Sequence, residues 1–211
     1  MNYQQLCHAI RSACAITREQ GIPIDSVIIV GSQSVLGSFD AAKLPPAATR
    51  TQEVDLMPNV ADLDLLVFLS DVIEGVAGEL SLFEETHGFC IDGVDDSTST
   101  LPTGWRDRLV PVRNRDTVDV LTGAQYTGWC LDPADCCVAK LCAGRQKDLD
   151  FVFALFDAGL VDPDLVGERL TQVPDVPAGK RAEADAALAR FFPNGTTRPL
   201  SAPRQGTVSA Q

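Results

Sequence analysis

No apolar run in this sequence approaches the roughly 20 residues that a bilayer-spanning helix needs, so no transmembrane helix and no membrane partner is expected. The opening stretch, MNYQQLCHAIRSACAITREQ, lacks a continuous apolar block. Its apolar residues recur at helical spacing instead, and a cytoplasmic protein is expected. No two cysteines have the C-x-x-C spacing of a zinc or redox site, and their number, seven, is odd. That favours buried free thiols in a reducing compartment. Basic residues are scarce, 17 against 29 acidic ones, for a net charge of −12. Such a surface repels phosphate backbones at long range and argues against extensive non-specific nucleic-acid binding. It is compatible with a local basic pocket for a nucleotide or an RNA end.

What is present is a chain of 211 residues, 45% of them hydrophobic, enough to bury a core in one domain or one domain with a helical appendage. Residues 3–19 have the period of an amphipathic helix, closed by Gly21 and Pro23. Ser26 to Val30 is a β-branched run, hence a buried strand, followed by Gly31-Ser32 and a second helix from Gln33 to Phe39. Asp40 to Ala48 reads as an irregular insertion around Pro45-Pro46. Thr51 to Met57 alternates polar and apolar residues, as a strand does. Asn59 is the expected N-cap of a helix over 60–69. Further strands are expected over 87–94 and 108–113, with a weaker one over 118–121. Asp132-Pro133 opens a helix to about Arg145. Helices over 148–158, 163–171 and 178–192 follow, and then a flexible tail over 193–211. This order predicts an α+β fold, a mixed sheet in a core of 1–130 with a helical C-terminal region of 131–192.

Three pieces carry chemistry together. Gly31-Ser32 sits between a strand and a helix, where backbone can approach a ligand closely and N–H groups can meet phosphate; many such pairs only turn a corner. Glu53 and Asp55, two apart on a strand, face the same way with Cβ atoms roughly 6–7 Å apart. A divalent cation would relieve their repulsion, and their hard oxygens suit Mg²⁺. A solvated strand face is the plainer alternative. The third piece is Asp135, Lys140, Arg145, Lys147 and Asp148 within DPADCCVAKLCAGRQKDLDFV. Lys140 lies among apolar neighbours, so its stem either snorkels to water or carries the ammonium into a cleft to meet phosphate. Arg145 and Asp148 could instead pair at a helix junction.

Taken in order, VIIVGSQS, TQEVDLMP and DPADCCVAKLCAGRQKDLDFV resemble the minimal nucleotidyltransferases of the DNA polymerase β superfamily, and most nearly the AbiE-type toxins and their relatives. The resemblance spans roughly 26–158. It implies a small twisted mixed sheet with helices packed around it. It implies that Gly31 and Ser32 grip the triphosphate of a nucleoside triphosphate, that Glu53 and Asp55 bind Mg²⁺ (or Mn²⁺), that Lys140 and Arg145 contact phosphate, and that Asp148 completes the polar centre. It also implies an acceptor such as a tRNA 3′ end and, in toxin–antitoxin pairs, an antitoxin partner; a protein acceptor is the alternative. This chain departs from the pattern in having Glu rather than Asp as the first acid, and a longer gap between Ser32 and Glu53. Asp119 is the nominee for a third carboxylate.

The activity expected is in-line transfer of a nucleoside monophosphate to an acceptor hydroxyl. The competing reading is a catalytically inactive fold that serves as a protein-interaction module. Thiol catalysis by Cys137 with His87 lacks an activating neighbour. Trp105, with Arg106 and Arg108, reads as a loop aromatic capping the core, Arg113 and Arg115 as a solvated turn, and His87 as structural.

Overall fold

The computed structural model describes residues 1–95, 97–174 and 176–191, so the expected tail over 193–211 lies outside the described residues. In chain order the elements are α1 (Tyr3–Glu19), β1 (Ser26–Ile29), a 3₁₀ segment (Ser32–Gly37), α2 (Pro46–Thr49), β2 (Glu53–Pro58), α3 (Leu63–Ala77), α4 (Leu82–His87) and β3 (Cys90–Gly93). Then come β4 (Val110–Val112), β5 (Thr127–Cys130), α5 (Pro133–Ala143), α6 (Gln146–Asp157), α7 (Pro163–Thr171) and α8 (Ala178–Ala189). The strands form one mixed sheet in the order β3-β2-β1-β5-β4. β1 runs antiparallel to β2 and parallel to β5, β2 runs parallel to β3, and β4 runs antiparallel to β5. This is the α+β, mixed-sheet architecture the sequence predicts.

β1 takes the centre because Ser26, Val27, Ile28 and Ile29 are all buried, as a strand covered on both faces requires. α1 begins with a capping box between Asn2 and Gln5 and buries Leu6, Ala9, Ile10 and Ala13. Ile10 reaches the sheet at Gly128, where an added Cβ would lie 2.3 Å from Ile10 Cδ1; only glycine permits so close an approach. Beyond the sheet, α5 packs against α6, α7 and α8. All seven cysteines are free and buried.

Several expected elements shift. Gln33 to Phe39 does not form an α-helix; the chain makes the 3₁₀ segment Ser32–Gly37. The 40–48 stretch is partly ordered, with a 3₁₀ turn over Ala41–Lys43 before α2. Asn59 does not cap a helix. Its side-chain amide donates to Ser26 Oγ at 3.1 Å, and Asp62 caps instead, accepting from the Leu65 N–H at 3.0 Å, so α3 starts later and runs to Ala77. α4 replaces the start of the expected 87–94 strand; His87 closes it and Gly88 terminates it at φ 71°. Residues 118–121 form a turn closed by an isolated bridge between Val118 and Gln125, and the strand lies just beyond, at β5. The helix expected over 148–158 begins two residues earlier, at Gln146.

The chain has two histidines, and they meet. The rings of His8 on α1 and His87 on α4 are 4.4 Å apart between centroids, beside Phe83 and Phe89. Burial, then the His87 and Arg11 charges, lower the His8 pKa. A histidine lowered on folding contributes stability above its unfolded pKa and loses it as pH falls through that range. His8→Phe should therefore flatten this part of the acid-induced loss, read by urea unfolding at about pH 7.5 and about pH 5.5. An unchanged loss would mean that His8 contributes nothing to it.

Candidate metal and nucleotide site

On β2, side chains alternate. Val54 and Leu56 are fully buried in the core, while Glu53 and Asp55 point the other way into a cleft. The parallel register of β2 and β3 sets Asp55 opposite Asp92. Carboxylate oxygens of Glu53, Asp55 and Asp92 lie within 4.8 Å of one another, each partly exposed. Oxygens on opposite sides of a bound Mg²⁺ are about 4.2 Å apart, twice the metal–oxygen bond. Small side-chain rotations would close these three around such an ion, so the residues present fit a hard divalent cation. Without it they oppose one another. Burial, then the Asp55 and Asp92 charges, raise the Glu53 pKa. Burial also raises that of Asp55, with Lys140 working against the shift and Asp92 adding to it.

Gly31 closes the site from β1. Its φ of −86° is open to any residue, so conformation does not select glycine here. Space does: an added Cβ would stand 1.6 Å from Asp55 Oδ2. The Asp55 carboxylate rests on the bare Gly31 backbone. Gly31→Ala should cost about 1–3 kcal/mol by overpacking and turn the Asp55 carboxylate away. Thermal melts with and without Mg²⁺ check both effects. A variant that melts and responds to Mg²⁺ as the wild type does would show that the strand gives way instead.

The opposite wall comes from α5 and α6. Lys140 Nζ is 3.1 Å from Asp148 Oδ1, and Arg145 Nε is 2.6 Å from Asp148 Oδ2. Asp148 is 1% exposed. Its burial alone would raise its pKa, but the hydrogen bond from Arg145 and the Lys140 charge outweigh it and leave it below the usual carboxylate range. The ammonium of Lys140 lines the cleft while it pairs with Asp148, and Arg145 pairs with Asp148 at the junction of α5 and α6.

The cleft has a volume of 580 Å³ and brings together Gly31, Ser32, Glu53, Asp55, Lys140, Arg145 and Asp148. Three residues that the sequence reading did not select, Asp92, Arg50 and Lys180, also line it, as does Lys147. Three of the chain's four lysines are therefore here, against a net charge of −12. Asp119 is not part of it. It closes the turn after Val118, accepting from the N–H groups of Leu121 and Thr122 and pairing with Arg18, which holds its carboxyl well below the usual range. Asp135 also lies elsewhere, between Arg108 and Arg169. Trp105 carries the Arg106 guanidinium over its ring at 4.5 Å, Arg113 donates to Thr127 Oγ1, and Arg115 pairs with Asp116 at the surface.

A family model described as nucleotidyltransferase of unknown function (DUF6036) matches residues 4–190. The chain belongs to this family. No curated protein and no solved structure matches it. For a nucleotidyltransferase the arrangement is chemically coherent, with acids on the sheet, cations on the helices and a glycine corner at the end of β1 between them. Among the described residues no helix is long and apolar enough to cross a membrane.

Proposed function

We propose that this nucleotidyltransferase moves a nucleoside monophosphate from a nucleoside triphosphate to an acceptor hydroxyl, with Mg²⁺ (or Mn²⁺) held by Glu53, Asp55 and Asp92. The convergence of three carboxylates within 4.8 Å on the floor of a lysine-lined cleft carries the reading. A divalent ion there would neutralise triphosphate charge and lower the pKa of the acceptor hydroxyl. Gly31 and Ser32 hold the triphosphate on the sheet side. Lys140 and Arg145 meet it from the helices, with Asp148 as the positioning residue that keeps both cations in place. The acceptor oxygen attacks the α-phosphorus in line. A new P–O bond forms as the bond to the β-phosphate breaks, and pyrophosphate leaves against the Lys140 charge. The acceptor's proton passes to Asp92, on β3 at the edge of the sheet. A core of 1–130 would thus supply the acids, and a helical region of 131–192 the cations.

The likeness of the three motifs to AbiE-type toxins nominates a tRNA 3′ end as the acceptor and a toxin–antitoxin pair as the setting. Five of the 17 basic residues of an acidic protein gather in one cleft, which supports a small footprint on RNA. Incubating the protein with each labelled nucleoside triphosphate, Mg²⁺, and either total RNA or lysate tests all of this. Label is expected in tRNA, and it should disappear in Asp55→Asn and Asp92→Asn. Label in protein would replace the acceptor and keep the chemistry. If calorimetry finds no triphosphate binding, or equal binding to wild type and Asp55→Asn, the fold is an inactive interaction module.

A further inference from the structure

Twelve acidic residues and no lysine or arginine lie between Arg50 and Arg106. That stretch alone accounts for the whole net charge of −12, because the remaining 17 acids are matched by the 17 bases. Its centre is α3, which covers the sheet with Leu66, Leu69, Ile73 and Ala77 and turns its other face outward. The outward face is apolar where solvent would favour charge. Leu63, Val67, Phe68 and Val76 are exposed along it, and Leu80 in the following loop and Leu82 at the start of α4 continue it. Six of the nine exposed large apolar residues among the described ones are gathered here. Asp64, Asp71, Glu74 and Glu79 are interspersed with them, all exposed.

Leu80 adds an independent sign. It adopts φ 61°, the left-handed region that side chains avoid, and it is the one non-glycine residue among the described residues to do so. A leucine held there and 92% exposed gains nothing from burial within its own chain. Its N–H is fixed by Glu84 Oε2 at 2.7 Å, so the projection is built into the turn.

We propose that the outer face of α3 and the loop into α4 dock a basic amphipathic helix of a partner protein. Charge decides among occupants. A second copy would set Asp64, Asp71, Glu74 and Glu79 against the same acids of its twin, and nucleic acid or an anionic membrane would be repelled likewise. A helix with leucine-like residues on one side and lysine or arginine flanking them satisfies both features at once. The face of α3, about 22 Å long at 1.5 Å per residue, matches four turns of such a helix. Glu74 and Glu79 share a hollow with Glu53 and Asp92, but the face is drawn by the exposed apolar residues and Asp64 and Asp71 and needs no bound metal, so the proposal stands apart from the transferase reading.

Fluorescence anisotropy with three labelled peptides of equal length tests it. One is an amphipathic leucine–lysine helix, one replaces its lysines with glutamate, and one keeps the lysines but replaces leucine with serine. The first should bind in the micromolar range and the other two at least about tenfold more weakly. The double substitution Val67→Ser, Phe68→Ser should weaken the first by about tenfold or more. Leu80→Gly, which suits the backbone, should weaken it as well. Val120→Ser with Leu121→Ser, exposed apolar residues elsewhere, should leave binding unchanged. Equal binding of the lysine–serine peptide, indifference to the Val67 and Phe68 changes, or no binding to wild type would overturn the proposal. So would light scattering that shows a dimer dispersed by the same double substitution.

Discussion

Asp55→Asn is expected to make the metal-free protein more stable and the protein itself inactive. The two effects come from one cause. Burial raises the Asp55 pKa, Lys140 offsets part of that, and Asp92 adds to it; the shift that remains is upward. A carboxyl whose pKa is raised on folding binds its proton more tightly in the folded state, so stability falls as pH rises through the folded pKa. At neutral pH the ionised form is a burden, and the neutral, isosteric amide removes it without disturbing the contact with Gly31. Mg²⁺ reverses the ranking. The wild type gains stability in proportion to the logarithm of metal occupancy, and the Asp55→Asn variant, with one ligand lost, does not. Transfer should fall at least about 10²–10³-fold, the loss seen when one preorganised electrostatic stabiliser is removed. Melting curves with and without Mg²⁺, beside a turnover assay, read both halves. A metal-free Asp55→Asn protein less stable than wild type would show Asp55 to be chiefly the structural partner of Lys140.

Asp135→Ala should do the opposite, unfolding the protein while sparing each folded molecule's chemistry. Asp135 is fully buried and takes Arg108 Nε at 2.8 Å, Arg108 Nη2 at 3.1 Å and Arg169 Nη1 at 3.0 Å. It joins the 105–108 turn, α5 and α7. Arg169 keeps Asp132, but Arg108 is left without its carboxylate, and breaking such a buried pair costs up to about 3–5 kcal/mol. Against a total of about 5–15 kcal/mol that is a large share. Asp135 does not line the cleft, so turnover per folded molecule should hold. Urea unfolding with activity normalised to the folded fraction separates the two. A loss below about 1 kcal/mol, the range of surface ion pairs, would mean that water replaces the carboxylate between the arginines.

These two aspartates also show what the sequence reveals. Asp55 is legible because its signal is local. Two acids at strand spacing beside Val54 and Leu56 define a polar face whatever the strand pairs with. The glycine corner and the lysine helix are legible for the same reason, through a strand run, an N-cap and a proline. Asp92 is not. It sits alone in Cys-Ile-Asp-Gly, and it joins the site only because β3 returns parallel to β2 through α3 and α4. A parallel register is set by a crossover of some thirty residues, for which no spacing rule exists. Ile91 buried and Asp92 outward is the alternation that could have marked it. Asp119 carried an equal claim until the Asp-Val-Leu-Thr-Gly turn and Arg18 absorbed it. Arg50, just ahead of β2, and Lys180, on the distant α8, line the cleft without any local mark in the sequence. The start of α3 was misplaced for a simpler reason, since Asn59 and Asp62 are both competent caps and tertiary contact with Ser26 takes the first.

The buried thiols give the folded chain an internal clock. Burial pushes Cys14 and Cys130 up to about 12 and Cys90 to about 11, so almost none is ionised at neutral pH. An alkylating reagent must wait for an opening before it finds a nucleophile. With cysteines on α1, β3, β5 and α5, the order in which they acquire label reports which layer of the molecule comes loose first.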